Sequence, residues 1–265
     1  MYEIDYERPS TLEAAVQSLQ RTGGRPLAGG QTLVAAMKTR LSAPGFLVDL
    51  GGIPELRGIR STGSSIVIGA MTRHIEVSTS QEVMQAIPAL ARLAGGIGDR
   101  QVRNMGTIGG SVANSDPAAC YPAAVLALGA MVHTTERSIP ADKFFVGMYE
   151  TSLNEGELVT EIEFPVPRRA GYVKFEQQAS RFALVGVFVA ETDAGVRVAV
   201  TGAASVAFRA TDIEQALTAS FTPEAARRVT VSADDLSSDI HASAEYRAHL
   251  ISVIASRAVS QALAG

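Results

Sequence analysis

The spacing of apolar and polar positions divides the chain into helices and strands. In the stretch PSTLEAAVQSLQRTGG, apolar residues recur every three to four positions, which predicts an amphipathic helix. Ser10 or Thr11 can cap its start, and Gly23 and Gly24 end it. Short apolar runs bounded by glycine and proline predict strands, and these are RPLAGG, GFLVDLGGIPEL and SSIVIGAM.

The middle of the chain returns to helical spacing and then becomes rich in glycine. The stretch TSQEVMQAIPALARLAGGI predicts a helix that Pro88 can interrupt. The following segment, RNMGTIGGSVANSDPAACYPAAVLALGA, predicts a loop that leads into a helix of small residues. Strands and turns come next and end in VTEIEFPVP, where apolar residues alternate and two prolines stop the strand.

This pair of prolines marks the predicted domain boundary, with a first domain over residues 1–167 and a second over 168–265. Beyond it, GYVKFEQQASRFALVGVFVAE and AGVRVAVTGAASVAFRA predict antiparallel strands. Helices are predicted in ATDIEQALTA, TPEAARRV and SAEYRAHLISVIASRAVSQALA. We therefore expect the final third to be a small α+β unit.

Composition narrows the functional classes. The chain has 265 residues, of which 46% are hydrophobic and 19% charged, as in globular proteins. A net charge of −4 gives no basic footprint for nucleic acid or for an anionic membrane. The longest apolar stretch, residues 182–190, is too short to span a membrane, and the first residues lack the pattern of a signal peptide. We therefore expect a cytoplasmic protein.

Side chains that carry chemistry are sparse. The single cysteine, Cys120, excludes an internal disulfide and an iron–sulfur cluster held by this chain alone. The histidines lack the spacing of metal ligands, and they are His74, His133, His241 and His249. No nucleophile and base form a recognisable pattern. We therefore predict no catalytic residue and no metal site, so that redox chemistry would need a bound cofactor.

The stretch AGGQT, residues 28–32, places two glycines directly before helix-forming residues. Gln31 or Thr32 can cap that helix, which is expected to run to about Arg40. A glycine turn that enters a helix presents free N–H groups, which can hold a phosphate, and lets the backbone approach a ligand closely. An ordinary tight turn is the alternative.

A second glycine-rich stretch, GTIGGSVANSDPAA, begins at Gly106. Its small neutral donors and acceptors suit the hydroxyl, amide and phosphate groups of a nucleotide, and a tight crossing in the core is the alternative. Two better-known phosphate patterns fail, because there is no P-loop and GGIGDRQ has Gln101 where the last glycine belongs. Two glycine motifs far apart in sequence favour one extended ligand, such as a dinucleotide, held between two lobes.

Five stretches occur in the order typical of one family: LAGGQTLVAAMKTRLSAPGFLVDL, IVIGAMT, QVRNMGTIGGSVANSDPAA, FFVGMYETSL and GELVTEIEFPVP. Over essentially its whole length the sequence resembles the FAD-binding medium subunit of molybdenum hydroxylases, which include carbon monoxide dehydrogenase and xanthine dehydrogenase. The resemblance implies an α+β fold. It comprises a two-lobed PCMH-type FAD-binding domain, with lobes at about 1–57 and 58–167, and a small C-terminal domain of antiparallel sheet and helices.

The resemblance also implies which residues bind FAD. The first motif would wrap the pyrophosphate with main-chain N–H groups, and its residues are Ala28, Gly29, Gly30, Gln31, Thr32 and Leu33. The second motif would run along the other side of the cofactor, and its residues are Gly106, Thr107, Ile108, Gly109 and Gly110, followed by Asn114. Leu158 or Val159 would supply an apolar contact to the flavin.

In this family the chemistry on the substrate takes place in another chain. A large subunit holds a molybdenum-pterin cofactor and a small subunit holds two [2Fe–2S] clusters. The FAD subunit takes electrons from the clusters and passes them to an external acceptor, and the resemblance implies a dimer of such heterotrimers. Two other hypotheses stay open: a free-standing FAD-dependent oxidoreductase without molybdenum partners, and a nucleotide-binding protein that has lost FAD.

Three departures from the family pattern affect the predicted site. Cys120 stands where many relatives have a carboxylate that binds a cofactor hydroxyl, so this contact is weakened or moved to Asp116. Gln177 and Gln178 stand where basic residues are common, which removes positive charge near the flavin. Arg181 stands where an acidic residue is common, and it either restores positive charge or is a solvated surface residue.

Overall fold

A small parallel sheet with two helices forms the start of the chain, of which a computed structural model describes residues 2–265. Its elements are β1 (Asp5–Glu7), α1 (Leu12–Thr22), β2 (Arg25–Leu27), α2 (Leu33–Lys38) and β3 (Phe46–Asp49), with the strands in the order β1-β3-β2. Thr11 caps α1 by accepting a hydrogen bond from the N–H of Ala14, and Gly23 ends it at φ +60°. Ala15 and Val48 are completely buried between the sheet and α1.

A five-stranded antiparallel sheet and six short helices follow. The strands are β4 (Ile59–Ser61), β5 (Ser65–Gly69), β6 (Met131–Thr134), β7 (Ser138–Pro140) and β10 (Val159–Pro165), in the order β4-β5-β10-β6-β7, and β8 (Phe145–Gly147) pairs with β9 (Glu150–Thr151). The helices are α3 (His74–Thr79), α4 (Gln81–Ala86), α5 (Pro88–Gly95), α6 (Arg100–Met105), α7 (Ile108–Asn114) and α8 (Tyr121–Leu128). Every residue of α8 is buried, which makes this helix the centre of the largest core.

The last part of the chain is an antiparallel sheet with three helices. The strands are β11 (Arg169–Glu176), β12 (Ala183–Thr192), β13 (Gly195–Thr201) and β14 (Phe208–Arg209), in sequence order, and the helices are α9 (Thr211–Ala219), α10 (Pro223–Arg227) and α11 (Ala244–Ala264). Val187 and Val189 face the helices, whereas Phe188 and Ala190 belong to the core around α8. Because both faces of the sheet are covered, eight consecutive residues of β12 are buried.

Hydrogen bonds join this sheet to the segment that connects α7 and α8. The hydroxyl of Thr201 lies 2.7 Å from the carbonyl oxygen of Pro117 and 2.6 Å from that of Ala119. The N–H of Gly202 also donates to Pro117, at 2.7 Å. The end of β13 therefore fixes the chain that leaves the second glycine motif.

Among the differences from the sequence prediction, three have a clear local cause. Helix α2 ends at Lys38 and not near Arg40, because Arg40 turns to φ +61° and the N–H of Leu41 donates back to Ala36. The segment predicted as a loop at 108–114 is helix α7, capped by Thr107. After β3, the stretch LGGIPEL forms two 3₁₀ turns where a longer strand was predicted.

The break predicted at Pro88 is confirmed, since α4 ends at Ala86 and Pro88 occupies the first turn of α5. In the part of the chain that the structure describes, no helix is both long and apolar enough to cross a membrane. Over the same residues, no three side chains of the histidine, cysteine, aspartate and glutamate types are grouped as metal ligands.

Candidate cofactor-binding site

The first glycine motif carries backbone donors that the protein itself does not use. Within residues 2–265, nothing accepts a hydrogen bond from the N–H groups of residues 28–33. Two carbonyl groups of the motif are engaged: that of Gly30 accepts from the N–H of Val34 at 3.0 Å, and that of Gly29 accepts from the Gln31 amide at 3.3 Å. A run of free N–H groups on a bare turn attracts a negatively charged ligand.

The two glycines of this motif have different physical roles. Gly30 adopts φ +70°, in the left-handed region that favours glycine. Gly29 is required for space, because a Cβ on it would lie 2.6 Å from the Cα of Gly106 and closer still to the carbonyl oxygen of Met105. A Cβ on Gly110 would lie 3.2 Å from the methyl group of Ala28. The structure therefore brings the two motifs into backbone contact.

The second motif uses its N–H groups within the protein. Thr107 caps α7, with its hydroxyl oxygen accepting from the N–H of Gly110 at 3.2 Å. The N–H of Ile108 donates to Thr72 at 3.0 Å, and that of Gly109 donates to Ala70 at 2.8 Å. The sequence could not separate the motifs in this respect, because both are runs of glycine and small polar residues. The first motif offers donors, whereas the second supports it with bare, tightly packed backbone.

Polar side chains gather where α7 ends. Asn114 is half-buried, and its amide makes no hydrogen bond within the described residues. Ser115 ends the helix at φ +45°, and its carbonyl accepts from the N–H of Tyr149, which itself lies at φ +55°. Burial raises the pKa of the Asp116 carboxyl, and burial together with the charge of Asp116 raises the pKa of Tyr149. The backbone hydrogen bond to Ser115, the chain neighbour of Asp116, therefore holds Tyr149 at the end of α7.

The predicted apolar contact lies close to the second motif along the backbone. Val159, the first residue of β10, and Leu158 before it are both buried within this chain. The next residue, Thr160, accepts a hydrogen bond from the N–H of Ala70 at 2.8 Å, and Ala70 in turn accepts from Gly109. Ala70 thus links this strand to the second motif.

Cys120 is buried from solvent at the start of α8. Its thiol is buried beside Tyr172 of β11, and burial raises its pKa, so that it stays neutral at pH 7. A neutral thiol in this place cannot replace a carboxylate as an acceptor for a cofactor hydroxyl. Asp116, at the edge of the same segment, is the nearest carboxyl in sequence.

The turn between β11 and β12 shows what the departures at 177–181 do within this chain. The side-chain oxygen of Gln177 accepts from the N–H groups of Ala179 at 2.6 Å and Ser180 at 2.9 Å, so this oxygen closes the turn. Gln178 is exposed. Arg181, also exposed, points its guanidinium at the carbonyl oxygen of Gly98, 3.4 Å away. It contributes positive charge beside the loop that contains Gly98.

Two further cations converge on the same loop, and neither was predicted from the sequence. Lys174 donates to the carbonyl of Gly96 at 2.7 Å, and Arg103 donates to those of Ile97 at 3.0 Å and Gly98 at 2.9 Å. The stretch GGIGDRQ, which nearly matches a dinucleotide-binding fingerprint, thus directs its carbonyl oxygens at cations. A phosphate-binding loop would instead direct N–H groups at an anion. Lys174 could have been found from its position in β11: it comes two residues after the buried Tyr172, so both side chains lie on the same face of the strand.

Comparison with known proteins settles the family. Residues 2–167 match the family described as "FAD binding domain in molybdopterin dehydrogenase". The chain belongs to this family. The nicotine 6-hydroxylase medium subunit of Paenarthrobacter nicotinovorans is 35% identical, and the match covers 98% of this chain and 97% of that subunit. The carbon monoxide dehydrogenase medium chain of Hydrogenophaga pseudoflava is 34% identical over 98% of this chain and 97% of its own length.

A comparison with solved structures gives the same assignment. The reconstituted CO dehydrogenase from Oligotropha carboxidovorans contains a chain that superposes with a TM-score of 0.92 and 34% identity, covering 99% of this chain and 98% of that one. The α+β fold expected from the resemblance is confirmed. The protein is an FAD-binding subunit of the molybdenum-hydroxylase type and an oxidoreductase. Its own geometry fits the cofactor, because free N–H groups on a bare turn suit the negatively charged pyrophosphate of FAD.

Proposed function

We propose that this chain is the electron-transfer subunit of a heterotrimeric molybdenum hydroxylase. It would hold FAD, take electrons from two [2Fe–2S] clusters of a small partner subunit, and pass them to an external acceptor. A large partner subunit would hold the molybdenum-pterin cofactor and the substrate. The complex would assemble as a dimer of heterotrimers in the cytoplasm.

The free N–H groups of residues 28–33 carry this proposal. In the proposed complex they hold the FAD pyrophosphate, so that Ala28, Gly29, Gly30, Gln31, Thr32 and Leu33 form the anion-binding part of the site. Gly106, Thr107, Ile108, Gly109 and Gly110 hold the first motif in place, Asn114 and Asp116 are the polar groups that follow, and Val159 lies at the apolar end. We assign residues 1–167 to the FAD-binding domain, with lobes at about 1–57 and 58–167, and 168–265 to the C-terminal domain.

Bound FAD supplies the exchange between one-electron and two-electron carriers. The chain itself would bind and orient the cofactor and exclude water from it, without an acid or base of its own. Its cysteine content supports a partner for the clusters, because Cys120 is the single cysteine and is buried against Tyr172. The full-length match to relatives named medium subunit or medium chain supports a multisubunit setting.

The proposal is tested by purifying the tagged protein from its native host. The absorption spectrum, the released cofactor and the co-purifying chains are then determined. We expect one FAD per chain, iron–sulfur absorbance and two partner chains, with molybdenum in the larger. FAD without partners would support a free-standing flavoenzyme, whereas a colourless protein that takes up no added FAD would refute the FAD site itself.

The role of Thr107 can be tested separately. Replacing Thr107 with alanine removes the cap of α7, so we expect the free energy of unfolding to fall by about 1 kcal/mol. FAD affinity should fall less than tenfold, because the hydroxyl oxygen serves the helix and not the first motif. Chemical denaturation of the apoprotein and fluorescence titration with FAD measure the two effects. Thr107→Ser keeps the hydroxyl and should restore both, and a serine variant as unstable as the alanine variant would exclude the cap as the cause.

A further inference from the structure

His74 is a buried histidine that lies directly against the second glycine motif. It is the first residue of α3 and only 4% exposed. Its backbone N–H donates to the carbonyl of Gly106 at 3.0 Å, and two residues earlier Thr72 accepts from the N–H of Ile108. Between these bonds, Arg73 and Thr107 form an isolated antiparallel bridge. Residues 72–74 therefore run as a short ladder along the second motif.

The imidazole edge of His74 fills the space beside Gly106. A Cβ on Gly106 would lie 2.5 Å from Nε2 of His74 and 2.9 Å from its Cδ2. The Cα of Gly106 is also the atom that a Cβ on Gly29 would approach to 2.6 Å. Gly106 thus contacts both the His74 ring and the first motif, and a shift of the ring alters the contact between the motifs.

The other ring nitrogen of His74 has an environment that stability alone does not explain. Nδ1 is buried and has no hydrogen-bond partner among residues 2–265. The same holds for the hydroxyl of Tyr121, whose ring centroid lies 5.4 Å from that of His74. Burying an unpaired polar atom costs about 1–3 kcal/mol, so an apolar side chain here would make a more stable core.

The ring is neutral under ordinary conditions. Burial is the main cause, and the charge of Arg103 adds to it; together they lower the pKa of His74 to about 4. A neutral imidazole can pack against Gly106 without placing a second cation beside Arg103. Its edge provides a rigid, planar surface with few alternative rotamers.

We propose that His74 is a positioning residue of the FAD site, whose Nε2 edge holds Gly106 against Gly29 and thereby sets the free N–H groups of the first motif. The inference rests on the proposed FAD site. The predicted effect is on the affinity for FAD, because Nε2 of His74 lies against Gly106 of the second motif. Nδ1 is buried in the core and makes no hydrogen bond to either motif. Loss of the ring edge lets Gly106 relax toward α3, and the first motif then loses its support.

Two amide substitutions separate the two ring nitrogens. The amide of glutamine reaches the place of Nε2, whereas the shorter amide of asparagine reaches only the place of Nδ1. We expect His74→Gln to bind FAD within about threefold of the wild type, and His74→Asn and His74→Ala to bind at least tenfold more weakly. Fluorescence titration of the purified apoprotein with FAD gives the dissociation constants. Tyr121→Phe removes the neighbouring unpaired hydroxyl without touching Gly106, and should bind FAD within twofold of the wild type.

A double-mutant cycle covers the case in which an amide variant does not fold. Gly106→Ala alone should weaken FAD binding, because its Cβ meets the imidazole, and His74→Ala removes that obstacle. The double variant should therefore bind no more weakly than Gly106→Ala alone. Additive losses, or equal affinity of the glutamine and asparagine variants, would overturn the role of His74. A wild-type protein that binds no FAD would instead refute the proposed function, so the two failures are distinguishable.

Discussion

A single added methyl group at Gly29 is expected to weaken FAD binding at least 100-fold. In Gly29→Ala the new Cβ would lie 2.6 Å from the Cα of Gly106 and overlap the carbonyl oxygen of Met105. Both neighbours are backbone atoms, so a side-chain rotation cannot relieve the clash, and the motifs have to move apart. A 100-fold loss corresponds to about 2.7 kcal/mol, which is within the usual cost of overpacking. Fluorescence titration with FAD measures the dissociation constant.

Gly45→Ala is the matched control for this substitution. Gly45 lies directly before β3 of the same small parallel sheet, is exposed, and a Cβ on it would meet no atom within 4 Å. It should bind FAD as the wild type does. The apoproteins should show similar circular dichroism, because Gly29 lies outside the helices and strands. If Gly29→Ala bound FAD with unchanged affinity, the contact between the two motifs would have no role in the site.

Gly171→Ala should destabilise the protein more than the loss of the helix cap in Thr107→Ala does. Gly171 lies in β11, where a Cβ would overlap the carbonyl oxygen of Ala258 in α11 and lie 3.0 Å from the N of Ala262. Helix α11 covers one face of the sheet, so the clash separates two layers of the C-terminal core. We expect the free energy of unfolding to fall by about 3 kcal/mol or more, at the upper end of overpacking effects. Denaturant unfolding of the apoprotein measures it.

The control for this second substitution is Gly95→Ala, at the end of α5. The nearest atom to its new Cβ would be the Cβ of Ser78 at 3.7 Å, an ordinary contact. Its stability should therefore change by no more than about 1 kcal/mol, with any gain coming from helix propensity. A Gly171→Ala variant as stable as Gly95→Ala would show that α11 can shift away from β11 at little cost.

Much of the fold follows from local sequence. The helix after Thr11, the break at Pro88 and the strand that ends at Pro165 were predicted from caps, prolines and periodicity. These signals act over a few residues, and a single sequence displays them directly. The glycine-rich segment at 108–114 was harder, because glycine lowers helix propensity while tertiary packing against Ala70 favours the helix.

The candidate site could be predicted only in part. Both glycine motifs are visible in the sequence, but the contact between Gly29 and Gly106 depends on how segments about 75 residues apart in the chain pack together. Which motif keeps free N–H groups likewise depends on partners such as Thr72 and Ala70, which are remote in sequence. His74 could not be identified in this way, because a lone histidine carries no pattern. Its position against Gly106 arises from tertiary packing, which a single sequence does not display.

The burial of α8 on all sides bears on how the protein can be divided and made. The core around α8 contains Tyr172, Phe188 and Ala199, which come after Pro167 in the sequence. The domain boundary predicted at residue 167 therefore cuts through one continuous core. A polypeptide truncated at Pro167 would expose the apolar surface of its central helix and would be prone to aggregate. During synthesis the same apolar surface stays exposed until β12 and β13 have been made and can cover it. The first 167 residues would therefore depend on the rest of the chain to cover this apolar surface.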